Sequence, residues 1–334
     1  MHLLENDPLS TSLHQGTILA PLKFAILRSF WGDKIKLQTT VTTESQLEPY
    51  FNYYSQQCHL MLANGGRHVA ARKHHDISDI IDLLNKEKTR EEAVETIRSK
   101  FQHLKLRDEN DMIQGSFNLA ARLYLMMSLG EIPNAFTPER PLSWTSASVQ
   151  DFLKQHLEPR PVLGSASIKL QEIFNARNVQ RIAGIKIQWT SDLGQHLRLI
   201  HDDERLAIFH HASFLRLHRQ SKVFPKGFID ETLRTLALLF PQSDKESVRL
   251  CGSLGAHGRH IEIFTYWHDR LVVVKQAFDE VEPGTLAHLW NDRRRPVQWY
   301  TLWTAVLVVL LTIFFGFVQC IEGAFQVYKA YNPD

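Results

Sequence analysis

Residues Trp299 to Ile321 read WYTLWTAVLVVLLTIFFGFVQCI, a run of twenty-three residues without a charged side chain. The hydrocarbon core of a bilayer is roughly 30 Å thick, and a helix of about 20 apolar residues crosses it because each residue rises about 1.5 Å. The run therefore predicts one transmembrane helix at 299–321, in contact with the lipid bilayer and followed by a short tail at 322–334. The alternative, a buried helix of a soluble protein, would need a large protein shell around a segment this close to the terminus.

Aromatic and basic residues flank this run as they do in single-pass membrane proteins. Tryptophan and tyrosine collect at the two membrane interfaces, and arginine and lysine collect on the cytosolic side. The aromatic residues are Trp299, Tyr300 and Trp303 at one end and Tyr328 and Tyr331 at the other; the basic residues of the juxtamembrane segment 283–298 include Arg293, Arg294 and Arg295, against Lys329 beyond the run. We therefore expect a tail-anchored protein whose large N-terminal part faces the cytosol.

The N-terminus and the cysteines agree with a cytosolic location. Residues 1–16, MHLLENDPLSTSLHQG, have no basic region followed by an apolar run, which predicts a loose leader and not a secretory signal. The three cysteines, Cys58, Cys251 and Cys320, are odd in number and widely spaced. They indicate no disulfide framework, as expected in a reducing compartment.

The composition outside the anchor is that of a globular chain. Roughly 290 residues remain, enough for one large domain or two ordinary ones. Apolar residues make up 44% of the sequence and charged residues 22%, so the chain is not disordered. A formal net charge of +2 gives no strong field toward nucleic acid, which we rank as an unlikely partner.

The first part of the head, an N-terminal subdomain at 17–145, is predicted to contain strands and then helices. An apolar run, LKFAILRSF, begins at Leu22 and is followed by KIKLQTTVT at 34–42. In the second piece apolar and polar residues alternate, which is typical of a half-buried strand. We expect two strands or a β-hairpin here, whereas the aromatic-rich segment 50–62 leaves the choice between helix and strand open.

Three helices are predicted next. The first carries Ile77, Ile80, Ile81 and Leu84 on one face. The second begins at 89–92, TREE, a capping box in which a threonine and a glutamate satisfy each other's backbone N–H groups. The third covers 111–129 and stops at a glycine. The proline-rich stretch that follows, 130–165, is either a boundary between two subdomains or a long surface loop.

The second subdomain, 146–282, is predicted to be helical or α+β, with a few strands. One candidate for this arrangement is a winged-helix-like module. Its elements are helices at 148–157, 168–183 and 228–240, a strand at 185–189, and a hairpin of HLRLI and RLAIFHH around the turn at 201–204. Between 260 and 280, apolar residues three and four apart form one helical stripe. The fold class is therefore mainly α with a few short strands: a helical head plus one C-terminal transmembrane helix.

Four histidines, His201, His210, His211 and His218, lie within eighteen residues. A hairpin and the following helix would bind zinc if they brought these side chains together. Neighbouring residues of a strand point to opposite faces, however, and the spacing matches no metal motif such as H-E-x-x-H. We therefore predict structural histidines and no cofactor, and keep a zinc site as the alternative.

Motifs for nucleophilic catalysis or phosphate binding are missing from the sequence. It has no G-x-S-x-G elbow, no G-x-x-x-x-G-K-[ST] loop and no G-x-G-x-x-G after a strand. Arg216, Arg219 and Lys222 form a small basic cluster, which we interpret as a solvated helix face. No residue of this sequence is predicted to be catalytic.

Small residues recur every fourth position inside the apolar run. Gly316, Cys320 and Ala324 fall on one face of a helix, where their size lets two helices approach closely. This stripe is compatible with a homodimer within the membrane; the alternative is that it reflects the small residues that are common in transmembrane helices in general.

Several segments resemble a filamentous-fungal family of uncharacterised proteins with a C-terminal transmembrane helix. They are WNDRRRPVQWYTLWTAVLVVLLTIFFGFVQCIEGAFQVYKAY, DIIDLLNKEKTREEAVETIRSKF, GSFNLAARLYLMM, FNARNVQRIAGIKIQWTSDLGQHLRL, AIFHHASFL and ETLRTLALLFPQ. The resemblance covers the chain from residue 76 onward. It implies a fungal source and a membrane helix, and it carries no activity and no catalytic residue.

Three functions follow from these patterns. The first is an adaptor or regulator that presents a cytosolic protein-binding domain at a membrane to a protein partner that the sequence does not name. The second is a membrane-tethered enzyme with its site near 201–218, for which zinc lost on His210→Ala would be the evidence. The third is a membrane-held, winged-helix-like nucleic-acid binder, which predicts steeply salt-dependent DNA binding by 165–225.

Overall fold

The computed structural model describes residues 7–14, 17–32, 41–101, 109–132, 140–159, 162–163, 170–241, 260–280 and 296–331. About 64% of the chain is helical, and its strands form one small sheet. This confirms the predicted fold class, a mainly α chain with a few strands and a C-terminal helix long and apolar enough to span a membrane.

The elements are numbered here in chain order. The helices are α1 (Ala20–Trp31), α2 (Val41–Met61), α3 (Ala63–Gly66), α4 (His74–Asn85), α5 (Arg90–Phe101), α6 (Glu109–Leu125), α7 (Val149–Leu157), α8 (Ala176–Arg181), α9 (Ala212–His218), α10 (Phe228–Leu239), α11 (His268–Glu280) and α12 (Pro296–Tyr331). The strands are β1 (Lys186–Thr190), β2 (Arg198–Ile200) and β3 (Arg205–Phe209). Short 3-10 turns lie at Pro8–Ser10, Leu193–Gln195 and Ile261–Ile263.

The strand predicted from Leu22 onward is wrong, because this run forms helix α1. Its buried residues, Leu22, Ile26, Leu27 and Phe30, recur with helical spacing, and a proline occupies the first turn, where it costs no hydrogen bond. The helix ends at Gly32, whose φ of +74° favours glycine. Of the alternating piece at 34–42, residues 34–40 lie outside the described residues, and residues 41–42 begin helix α2, which also includes 50–61.

The helices predicted in the middle of the N-terminal part are confirmed. All four apolar residues assigned to one face of α4 are buried. At the start of α5, the Thr89 N–H donates to Glu92 Oε2 at 3.1 Å, and the Glu92 N–H donates to Thr89 Oγ1 at 3.3 Å, as the capping box requires. Helix α6 ends at Leu125, before the predicted 129, because Met126 adopts a φ of +49° that stops the helix.

The sheet has the order β1-β3-β2. Strands β2 and β3 are antiparallel and form the predicted hairpin, whereas β1 runs parallel to β3, with Ile187 opposite Leu206. The helix predicted at 168–183 is confined to the six residues of α8 within the described residues. Nothing in this arrangement tests the winged-helix-like interpretation, which stays a prediction.

One hydrophobic core includes residues from both predicted subdomains. Helices α2 and α4 pack on α6, and α9 packs on both α2 and α10. The ring of Tyr50 in α2 is stacked on that of Phe214 in α9, with centroids 5.6 Å apart, and Trp31 lies 6.2 Å from the same ring. The boundary proposed at 130–165 stays a prediction, but aromatic contacts connect the two stretches that it separates.

We expect Phe214→Ala to destabilise the head by about 3–5 kcal/mol, because truncating a buried aromatic ring loses its burial and leaves a cavity. Phe214 is almost completely buried and contacts rings from α1, α2 and β3. Chemical denaturation of the full chain in detergent should give one transition at a lower midpoint. Phe24→Ala, at a position 37% exposed, should cost less than about 1 kcal/mol. Two separate transitions, only one of them shifted, would contradict a shared core.

Candidate membrane anchor and histidine cluster

Helix α12 is the longest element of the structure. It has 36 residues and is therefore about 54 Å long. Its apolar span is Tyr300–Tyr331. The most apolar stretch of this span has a mean hydropathy of 2.5, and none of its residues is buried. A core helix of a soluble protein would be covered by neighbours, whereas Leu310 is 59% exposed and Phe317 68% exposed. The helix is long and apolar enough to cross a membrane.

The helix continues past the predicted end at Ile321 to Tyr331, so most of the segment described as a tail is helical. The side chains of Tyr300, Tyr328 and Tyr331 are exposed. About 38 Å separates positions 303 and 328 at 1.5 Å per residue, so the aromatic residues near the two ends are spaced to reach both interfaces of a bilayer. The side chain of Trp299 and the residues Arg293, Arg294 and Arg295 lie outside the described part of the chain.

The small-residue stripe lies on an uncovered face of α12. Gly316, Cys320 and Ala324 are all exposed, and residues four apart in a helix share one face. A Cβ atom added to Gly316 would meet nothing within 4 Å. This face therefore has room for another helix.

The four candidate histidines are not brought together into one site. His201 is exposed in the turn between β2 and β3, with a φ of +56°, while His218 is buried in the core at the end of α9. His210 and His211 follow the end of β3, so they are not strand neighbours, and their rings lie 4.0 Å apart instead of on opposite faces. Among the described residues no group of three histidine, cysteine or acidic side chains could hold a metal ion.

His210 and His211 bind the last residue of β1 and the residue that follows it. His210 Nδ1 lies 3.1 Å from the carbonyl oxygen of Thr190, so this nitrogen carries the proton and donates it. His211 Nε2 lies 2.9 Å from Ser191 Oγ. Burial, reinforced by the neighbouring His210, lowers the pKa of His211 to about 3. The pair therefore fixes the end of β1 against the start of α9 as neutral rings.

His218 lies where α1, α6 and α9 meet. Its Nε2 is 2.8 Å from the carbonyl oxygen of Tyr124 and 3.1 Å from Trp31 Nε1. Burial lowers the pKa of this histidine to about 3. A single nitrogen cannot donate to the carbonyl and accept from the indole at once, so one of these two groups is satisfied at a time.

A fifth histidine, His196, is the most completely bonded, and nothing in the sequence singles it out. The Phe209 N–H donates to its Nδ1 at 3.2 Å, which places the proton on Nε2, and Nε2 donates to Thr235 Oγ1 at 2.7 Å. Thr235 donates in turn to the carbonyl of Thr232. Burial, with a smaller effect from Arg270, lowers the pKa of His196 to about 3. This chain of bonds connects β3 to α10.

The fold and these features define a class: a mainly helical α+β domain with buried, neutral histidines, followed by a helix that could cross a membrane. Comparison of the chain with protein-family models, with curated proteins and with solved structures found no match.

Proposed function

We propose that this protein is a tail-anchored adaptor or regulator, held in a membrane by α12 with its head in the cytosol. The observation that carries the proposal is the exposure of α12: a helix with this many uncovered leucine, valine and phenylalanine side chains is stable in hydrocarbon and would aggregate in water. The head, in contrast, buries its apolar residues in a core of its own. Anchor and head therefore suit two different solvents.

The charge of the flanks supports a cytosolic head. Three consecutive arginines precede the helix, while Lys329 is the one basic residue after Ile321. Basic residues near a helix end are retained on the cytosolic side, and each contributes about 1 kcal/mol near anionic lipid. Protease treatment of intact microsomes should remove an N-terminal tag and spare a C-terminal one. Protection of the N-terminal tag would overturn this orientation.

The edge of the small sheet is our candidate for the protein-binding surface. In the part of the chain that the structure describes, β1 pairs with a strand on one side only, so its other edge offers backbone N–H and C=O groups to an extended segment of a partner. Trp189 on this strand is 41% exposed, although Phe240 and His210 support its ring. Exposed, well-supported tryptophans are common centres of protein interfaces.

The test is purification of the intact chain from membranes in a mild detergent, followed by measurement of partner stoichiometry. We expect a protein that co-purifies at a fixed ratio and is lost from Trp189→Ala. Val273→Ala, which truncates another side chain that is 41% exposed, should retain it. No partner at fixed ratio, or equal capture by both variants, would refute this surface.

We also propose that two copies associate through the stripe of Gly316, Cys320 and Ala324. Cys320 is exposed and unbonded, so in such a dimer two copies of this thiol would lie close together. Mild oxidation in membranes should give a disulfide-linked dimer, and Gly316→Leu should weaken it several-fold. A variant with Cys320→Ser and Val318→Cys carries its thiol on the opposite face, because residues two apart in a helix are rotated by about 200°. Equal cross-linking of this variant would contradict the stripe.

A further inference from the structure

A cavity of about 410 Å³ lies between α7 and the segment that connects α9 to α10. This volume is within the range of small-ligand sites, roughly 300–1,000 Å³. All the residues that line it belong to the described part of the chain, and neither the anchor nor the small sheet contributes to it. The cavity is therefore separate from the surfaces described above.

The lining of this cavity is strongly basic. It includes Lys154, Arg219, Lys222 and Lys226, against one carboxylate, that of Asp230. Arg219 Nε is 2.8 Å from Asp230 Oδ1, so the carboxylate is already paired. Neither Lys222 nor Lys226 forms an ion pair with a described residue. The basic cluster interpreted from the sequence as a helix face thus contributes two cations, Arg219 and Lys222, to a concave surface, because α9 ends at His218, between these two and Arg216.

Helix α10 begins at the wall of the same cavity. Its N-cap is Gly227, with a φ of +88°, and no side chain caps the helix there. The first N–H groups of a helix have no partner inside the helix and carry a partial positive charge, which favours anions at an uncapped N-terminus. In α10 the Phe228 N–H donates to the Pro225 carbonyl at 3.1 Å, so the N–H groups that an anion would meet are those of Ile229 and Asp230. The second acidic residue of the first turn, Glu231, is engaged elsewhere, since it accepts the N–H groups of Tyr266 and Trp267 at 2.7 and 2.8 Å.

A buried polar group completes the lining. His218 is 1% exposed and lines the cavity, and its Nε2 faces the core through the contacts with Tyr124 and Trp31. The other nitrogen, Nδ1, is buried and has no hydrogen-bond partner among the described residues. A buried nitrogen of this kind destabilises the fold unless a partner satisfies it. An anion in the cavity would accept a hydrogen bond from Nδ1–H in the tautomer whose Nε2 accepts from Trp31 Nε1–H, and that tautomer gives up the hydrogen bond to the Tyr124 carbonyl.

We propose that this cavity binds a phosphate-bearing anion, held by Lys222, Lys226 and the N-terminus of α10 with His218 at its floor. Lysine is a common phosphate ligand, and several cations around one concavity favour a multiply charged anion over a single carboxylate. The phosphate belongs either to a soluble molecule or to the headgroup of an inositol phospholipid. Both sources have the same chemistry at the site.

The experiment uses the full chain in neutral detergent micelles and measures binding of inositol trisphosphate and of inorganic phosphate by calorimetry. We expect saturable binding of the trisphosphate at one site, weaker binding of inorganic phosphate, and at least tenfold weaker trisphosphate binding by Lys222→Glu/Lys226→Glu. Lys86→Glu/Lys88→Glu makes the same change in charge outside the cavity and should bind as the unaltered chain does. His218→Phe keeps an aromatic ring, removes Nδ1 and should also weaken binding.

Two lipid compositions distinguish the sources. The trisphosphate titration is repeated in nanodiscs of phosphatidylcholine alone and in nanodiscs that also contain phosphatidylinositol bisphosphate. Loss of trisphosphate binding in the second assigns the site to the lipid headgroup, and equal binding in both assigns it to a soluble ligand. The proposal would be overturned if neither the trisphosphate nor inorganic phosphate bound in micelles. It would also be overturned if Lys222→Glu/Lys226→Glu bound the trisphosphate as tightly as Lys86→Glu/Lys88→Glu does.

Discussion

Replacing Leu310 and Leu311 by arginine should release most of the chain from the membrane. Both residues lie at the middle of the uncharged run 299–321, and both are exposed on α12, so neither side chain contacts a partner that would shelter a charge. On insertion scales an arginine at the centre of a transmembrane helix costs about 2.5–3.5 kcal/mol, whereas each leucine favours insertion by roughly 0.3–0.6 kcal/mol. The double substitution therefore opposes insertion by about 6–8 kcal/mol.

Alkaline extraction followed by ultracentrifugation measures this effect. The unaltered chain should remain in the pellet, and the double-arginine chain should move largely to the supernatant. Leu310→Ala/Leu311→Ala changes the same positions without adding charge and should stay in the pellet. An arginine at Tyr331, the last residue of the helix, should also be tolerated because the cost of a charge falls toward the interface. Extraction of the unaltered chain itself would refute the membrane anchor.

A structural feature can be predicted from the sequence when the residues that determine it are close together in the chain. The capping box at Thr89 and the hairpin around 201–204 are set by residues close in sequence, and both were predicted correctly. The strand prediction for the run at Leu22 rests on the alternation of apolar and polar residues in the piece that follows it, at 34–42. The burial of the run against α4 and the aromatic residues of α2 decides in favour of a helix, and those contacts come from distant parts of the chain.

The histidines illustrate the same limit for the candidate sites. Their clustering between 201 and 218 suggested a shared site, but the positions that matter are set by partners far away: Tyr124 is 94 residues from His218, and Thr235 is 39 residues from His196. The basic cavity also escapes local patterns, because Lys154 comes from α7 and the other cations from the segment after α9. No spacing within the sequence shows that these residues share a surface.

The buried histidines make a strong prediction about acid. Burial lowers the pKa of His196, His211 and His218 to about 3 and that of His74 to about 4, from an ordinary value of 6.5. Between these values and 6.5 the unfolded chain binds protons that the folded chain excludes. Folding stability is therefore complete above about pH 6.5 and is lost as the pH falls toward 3 or 4.

Each of these histidines lowers the free energy of unfolding by about 1.4 kcal/mol for every pH unit below 6.5. Four histidines together therefore lower it by about 5 kcal/mol per pH unit. Glu231 acts in the opposite direction, since burial raises the pKa of its carboxyl, but it is one group against these four and against His156 and His210, whose pKa burial also lowers. A head of ordinary stability, about 5–15 kcal/mol, should consequently unfold between roughly pH 4 and 5.5. Urea denaturation of the full chain in detergent at a series of pH values from 5 to 8 measures the slope.

Two variants separate titration from simple loss of packing. His196→Gln removes one titrating ring and should reduce the slope below pH 6.5 by about 1.4 kcal/mol per unit. Thr235→Val removes the hydroxyl that accepts the His196 proton, so it should lower stability at every pH while leaving the slope nearly unchanged. Two results would contradict this explanation. One is a free energy of unfolding that does not change with pH between 5 and 6.5. The other is the same dependence of that free energy on pH for His196→Gln and for the unaltered chain. Because the four rings connect α1, α2, α6, β3 and α10, their protonation should unfold the head as a whole.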